Sequence, residues 1–324
     1  MILVIILFLI LIFAGYLFLG RAKSAENISW GVVFSQKHAK YLGLDWQETY
    51  LALLDDLNVK EIKIASYWDL LEPKDAEYDF TDLDWQVQKA AERGAGVMLV
   101  VGMKSPRWPE CHIPDWARDL GKAGQQEKIM KMLEAVVLHY RGSDVIKGWQ
   151  VENEPFFIFG ECPWADSGFL KEEVALVKSL DEKHRPIIVS DSGEGPFWFR
   201  AAKVSDVVGI TMYKKVWVSQ LGIYFSYPFP PVFYHRKAQI IDKVFKKEVI
   251  CVELQAEPWA PTLLYDASLQ EQEKTMNLEQ FKYNVNFAKQ TGLKKFYLWG
   301  AEWWYWMKEK QQRPEIWEEA RKLF

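Results

Sequence analysis

Little in this chain invites redox or metal chemistry: it holds 3 cysteines and 5 histidines in 324 residues. His38, His112, His139, His184 and His235 are scattered without His-Glu-x-x-His spacing, so no metal site is expected. A Gly-x-Ser-x-Gly elbow is missing, which argues against a serine hydrolase. No Gly-rich phosphate loop follows the first β-like run, which removes the dinucleotide-binding reading, and no cofactor is expected. The formal net charge of -4 gives nucleic acid or an anionic surface nothing to bind. Linkers and low-complexity stretches are absent after residue 27, so the remainder reads as one domain.

Aromatic residues are what the chain has in excess, with 16 Trp, 14 Tyr and 19 Phe. Many of the Trp lie in segments that also carry proline and polar residues. Such a surplus suits a cleft that stacks flat apolar faces, as sugar rings present. Residues 1–20 are apolar and free of side-chain charge, and Arg21 and Lys23 follow. That length predicts one transmembrane helix serving as an anchor, with 21–27 as linker and 28–324 as the working domain. A cleavable signal peptide is the rival, with small residues at Ser24-Ala25, but a basic leading region is missing. Taken literally, the two basic residues put the domain in the cytoplasm, whereas large domains translocate regardless of such charges. The expectation is a single-pass membrane protein with an extracytoplasmic domain.

Beyond the linker, β-like apolar runs alternate with stretches of helical periodicity. The runs cover 28–34, 61–68, 96–102, 145–152, 186–191, 207–213, 249–253 and 295–299. The helical stretches cover 46–58, 83–93, 125–140, 169–184, 236–245 and 278–291. Strands rich in Val and Ile and apolar almost throughout suit a parallel sheet covered on both faces. Eight such units predict a closed (β/α)8 TIM barrel of the α/β class. The irregular aromatic segment 214–234 would follow strand six, as a cleft wall or as a patch resting on a bilayer. Cys251 reads as a buried core thiol. Cys111 and Cys162 fall in loops leaving one end of the barrel. They are either a disulfide, implying an oxidising compartment, or two free thiols.

In such a barrel the residues just past the C-terminal strand ends converge on one face. Strand four ends in Trp149-Gln150-Val151-Glu152-Asn153-Glu154-Pro155, and strand seven in Val252-Glu253-Leu254-Gln255-Ala256-Glu257. Strand eight ends in Trp299-Gly300-Ala301-Glu302. Carboxylates at the ends of strands four and seven suit glycosidic bond cleavage. One protonated acid is needed at the leaving oxygen and one ionised group at the anomeric carbon.

Asn153-Glu154-Pro155 after a strand with Trp149 resembles the strand-four signature of glycoside hydrolase clan A, which includes cellulase-like and β-galactosidase-like families. The segment 63–80, with Trp68, Leu71-Glu72-Pro73, Tyr78 and Asp79-Phe80, followed by Leu83-Asp84, is similar to the strand-two region of these enzymes. The resemblance implies a retaining glycoside hydrolase acting on β-linked oligo- or polysaccharides by double displacement, with Glu154 as acid/base and Glu253 as nucleophile. It further implies that Asn153 binds the sugar 2-hydroxyl, that Tyr213 touches the nucleophile, and that Trp299 floors the sugar. Where these families usually carry Arg on strand two, this sequence has Lys63, which lacks the planar fork. Transglycosylation, or an inactive carbohydrate-binding barrel at the membrane surface, are the alternatives.

Each glutamate has a local competitor. Glu152 shares strand parity with Glu154, and Glu257 follows Glu253 by one helical-turn length of chain. Glu154 is preferred because it lies farther out towards the mouth and matches the family pattern, and Glu253 because Glu257 falls already in the loop. Glu72, Glu110, Glu194 and Glu302 also follow strands, either as sugar contacts or as solvated loop carboxylates. Trp68, Trp108, Trp303 and Trp304 would line subsites or pack between barrel and helices.

Overall fold

The computed structural model describes residues 2–195 and 197–324. Eight parallel strands close a barrel in the order β1-β10-β9-β6-β5-β4-β3-β2. They are β1 (Ser29–Val33), β2 (Glu61–Ala65), β3 (Gly96–Val101), β4 (Ile146–Val151), β5 (Ile187–Asp191), β6 (Val207–Met212), β9 (Val249–Gln255) and β10 (Lys295–Trp299). The segment after strand six forms an antiparallel hairpin, β7 (Lys215–Val218) with β8 (Ile223–Ser226), before the chain enters the helix Pro231–Phe245. Each of the eight expected β-like runs matches one barrel strand, with β9 extending to Gln255 beyond its expected end at 253, and the barrel itself matches the sequence reading.

Alternation along the strands divides the apolar side chains between two places. Val33, Met98, Ile188, Ile250, Val252 and Tyr297 form a cluster within the barrel. Their sequence neighbours Val32, Leu99, Ile187, Cys251 and Leu298 pack outward against the helices. The six expected helical stretches are observed as Trp46–Asp55, Thr81–Glu92, Lys122–Tyr140, Ser167–Leu180, Pro231–Phe245 and Leu278–Lys289. Local chemistry starts several of them. The Asp45 carboxylate caps the amides of Gln47 and Glu48, and Asp166 caps those of Gly168 and Phe169.

The expected transmembrane anchor needs correction. Among the described residues no helix is long and apolar enough to cross a membrane. The N-terminal helix Ile2–Phe18 has 17 residues. At 1.5 Å per residue that is about 26 Å, short of the roughly 30 Å hydrocarbon layer. Met1 of the expected span lies outside the described residues. The last turns of the helix dock on the domain: Leu17 is buried, Phe18 packs 5.2 Å from Phe233, and Phe13 lies 5.7 Å from Phe197. Val4, Leu7, Leu11 and Ile12 are exposed.

Candidate active site

The chain leaves β4 through two left-handed residues, Glu152 (φ 58°) and Glu154 (φ 42°). Strand parity alone would send both carboxyls the same way, and this twisted exit separates them. Glu152 turns outward and accepts the amides of Met103 and Lys104, each at 2.7 Å. Gly102, at φ 115°, leaves room for it, since a Cβ there would lie 2.8 Å from the Glu152 Cδ. Glu154 turns inward. Its amide donates to Ser190 Oγ at 2.8 Å, and Thr211 Oγ1 donates to its Oε1 at 3.1 Å. Burial first, then the charges of Glu253 and Glu110, hold the Glu154 carboxyl well above the usual carboxylate range.

Glu253 reaches the same space through an irregularity in β9. Ile210 pairs with Cys251 but Thr211 pairs with Glu253, so Val252 is an extra residue. Such a bulge shifts the phase of the strand. Val252 and Glu253 thus both face inward, while Leu254 packs outside. Lys63 Nζ donates to Glu253 Oε1 at 3.0 Å and Tyr213 Oη to its Oε2 at 2.9 Å. Thr211 and Tyr213, two residues apart at the end of β6, hold one carboxyl each. Burial and the nearby Glu253 and Glu154 charges keep the Tyr213 phenol well above its ordinary value, so it stays a donor.

Asn153 lies beside them, 1% exposed. Its Oδ1 accepts from Gln150 Nε2 at 3.1 Å, and its Nδ2 donates to Glu110 Oε2 at 3.1 Å. Glu110 belongs to the loop after β3, where Cys111 is joined to Cys162 of the loop after β4. The open question about these cysteines is thereby resolved as a disulfide, and Cys251 is a buried free thiol. Desolvation raises the Glu110 carboxyl to about 8, with Lys104 pulling against and Glu253 adding to the rise.

Trp299, at the end of β10, is 7% exposed, with the Arg107 guanidinium 3.8 Å over its ring. Arg107 pairs in turn with Glu257 and, at 3.0 Å, with Glu302. The Arg107 charge, countering burial, holds Glu257 at about 2. Glu302 also accepts the Ser35 amide in the first turn of the helix Ala301–Gln311. Glu257 and Glu302 are therefore committed to a buried ion cluster rather than to solvent. Trp259 stands edge-on to Tyr213 at 5.2 Å and meets Phe159, which contacts Trp108.

The structure brings together Lys63, Asn153, Glu154, Tyr213 and Glu253 and puts Trp299 at the same barrel end. Trp68 goes elsewhere: it is fully buried, donates Nε1 to Glu72 at 2.7 Å and packs edge-on to Trp116. Trp303 and Trp304 are also sealed in the core. Sequence reasoning missed Arg107, Ser190 and Thr211. Nothing marks Arg107, which sits in a Pro-flanked loop, and its partners Glu257 and Glu302 lie more than a hundred residues away. Thr211 had a legible sign, strand parity with Tyr213.

A family model described as β-galactosidase, glycoside hydrolase family 42, matches residues 44–182, a stretch that holds Glu154 and ends before Glu253. β-Galactosidase BgaA of Clostridium cellulovorans is 23% identical over 168 residues, 45% of this chain and 25% of that protein. Among solved structures, the β-galactosidase of the haloarchaeon Halorubrum lacusprofundi superposes with a TM-score of 0.58 at 14% identity, covering 84% of this chain and 52% of its own. The GH5_18 protein of Bifidobacterium longum gives a TM-score of 0.61 at 13% identity, covering 85% and 70%. At these identities the structural likenesses establish the fold. The chain thus spans a quarter of the clostridial relative and about half of the haloarchaeal one. In sequence over residues 44–182, and in fold over the barrel, the chain is similar to the clan A glycoside hydrolases.

Proposed function

We propose that the chain is a retaining glycoside hydrolase acting on β-linked glycans or glycosides by double displacement. One observation carries the reading: two buried carboxyls in one barrel mouth have opposite surroundings. Glu154 retains its proton through burial and the neighbouring carboxylates, while Glu253 meets the Lys63 ammonium and the Tyr213 hydroxyl. Glu253 attacks the anomeric carbon as Glu154 passes its proton to the leaving oxygen. The aglycone departs and a glycosyl ester on Glu253 remains. Glu154, now a carboxylate, takes a proton from water, which attacks the same carbon and frees Glu253. Asn153 binds the sugar beside the reacting carbon, and Trp299 lines the floor beneath it. An acceptor sugar in place of water makes the same site a transglycosylase.

An inactive carbohydrate-binding barrel is the second reading, resting on Lys63 in place of the usual arginine; the ion pair of Lys63 with Glu253 favours the active one. Incubation with activated 2-deoxy-2-fluoro β-glycosides, galactosides first, followed by peptide mass spectrometry, tests the mechanism. The expected label is on Glu253. A label on Glu257, or none with any sugar, overturns the reading.

The domain is further proposed to work outside the cytoplasm, held at a membrane by the apolar side chains that Ile2–Phe18 leaves exposed. The Cys111–Cys162 disulfide supports the oxidising compartment. Recovery of the full chain in the soluble fraction of spheroplasts, with reduced cysteines, would overturn this placement.

A further inference from the structure

Three carboxyls meet in the barrel mouth, and double displacement uses two of them. The third, Glu110, is 6% exposed and reaches the site from the loop after β3. Its position is fixed from both sides. The loop turns through Glu110 at φ 71°, with its amide donating to Arg107 O at 2.7 Å and its carbonyl accepting from Ser105 at 2.8 Å. The next residue is tied by the disulfide. A solvated loop carboxylate would be neither buried nor held in this way.

The hydrogen bonding of the Asn153–Glu110 pair shows what is left to offer. The Asn153 Oδ1 is taken by Gln150, and one Nδ2 hydrogen by Glu110 Oε2. Glu110 Oε1 has no hydrogen-bond partner among the described residues. The nearby ammonium of Lys104 is turned to the carbonyls of Glu154 and Phe157, at 3.1 and 2.8 Å. Oε1 is not sealed from solvent, so it is the edge of Glu110 open to a ligand, and a bound sugar that covers it must supply a hydrogen-bond partner.

We propose that Glu110 is a substrate-binding residue whose carboxyl Oε1 hydrogen-bonds a hydroxyl on the ring carbon next to the anomeric carbon. This rests on the glycosidase reading above, because the location follows from Asn153 on one side of Glu110 and Glu253 on the other. It makes the site selective for sugars with a free hydroxyl at that carbon. A sugar lacking the group leaves the Glu110 oxygen unpaired, and a site built around such a polar contact discriminates strongly.

The test compares 4-nitrophenyl β-glycosides of galactose, glucose, mannose and xylose with their 2-deoxy counterparts, using the full chain. Glu110→Ala is expected to lower kcat/KM for the best 2-hydroxy substrate roughly 10- to 100-fold, while the 2-deoxy substrate changes less than about threefold. Glu110→Leu, which fills the same space without a polar atom, loses the same preference and covers a failure of the alanine variant to fold. A role confined to orienting Asn153 is separated by adding Glu110→Leu to Asn153→Ala: a direct contact costs further 2-hydroxy preference, and pure positioning costs none. Equal losses on both substrates, or no added loss in the double variant, overturn the proposal. Labelling of Glu253 by the fluorinated reagent, which lacks the 2-hydroxyl, continues in Glu110→Ala. Failure of that labelling in the wild type instead overturns the glycosidase reading.

Discussion

Lys63 Nζ lies 3.0 Å from Glu253 Oε1, and both side chains are sealed from solvent. The lysine crosses the barrel interior from β2 to β9, with its remaining reach on the Val252 carbonyl at 3.4 Å. An arginine would form a two-point fork. Here one ammonium contact and one phenol divide the two carboxylate oxygens between them.

Removing Lys63 leaves a buried charge without a partner. Lys63→Met is expected to lower unfolding free energy by about 3–5 kcal/mol, measured by urea denaturation. Adding Glu253→Gln removes the orphaned charge and should recover most of that loss. An unchanged midpoint in the single variant would show that the pair is not sealed as described.

Tyr213→Phe keeps the ring against Trp259 and deletes only the hydroxyl on Glu253. A hydrogen bond to a charged group is worth about 1.5–3 kcal/mol, so turnover should fall roughly 10- to 100-fold with the fold intact. Steady-state kinetics on an activated aryl glycoside reads this directly, with thermal melting as the control.

The Glu110 carboxyl, raised to about 8, makes stability depend on pH. In the unfolded chain this group ionises near its ordinary value, while in the folded protein it keeps its proton until about pH 8. Its contribution is therefore complete at acid pH and drains away as pH rises towards 8. Glu110→Gln should flatten the decline of the melting temperature between about pH 4.5 and 8, taking the ordinary carboxyl value as the lower bound. Parallel wild-type and variant curves would contradict it.

The disulfide closes a loop with a sequence separation of 51. Chain entropy assigns a closure of that length about 4 kcal/mol. Cys111→Ser with Cys162→Ser should lower stability by about 2–5 kcal/mol and, by loosening the loop that carries Arg107 and Glu110, weaken sugar binding. Urea unfolding and KM measure the two effects separately.

The barrel was legible because Val/Ile-rich apolar runs alternating with helical periodicity are local properties, and the ends of strands four and seven could be read from them. Alternation misleads at two points. It groups Glu152 with Glu154, which the left-handed exit from β4 separates, and it would put Glu253 on the outside, which the β9 bulge reverses. The apolar run at 1–20 gave the right element, a helix, but not its fate. Hydropathy does not reveal that Phe13, Leu17 and Phe18 find partners on the domain.

The sequence by itself determined the fold class, because apolar strand runs and helical periodicity are written in neighbouring residues, and from the strand ends and a short motif it singled out Glu154 and Glu253 as candidates. Only the tertiary structure decided what surrounds them: Lys63 and Tyr213 on Glu253, Ser190 and Thr211 on Glu154, Arg107 with Glu257 and Glu302 over Trp299, and Glu110 beside Asn153. These contacts join residues far apart in the chain, and their energies depend on burial, which exists only once the barrel has closed.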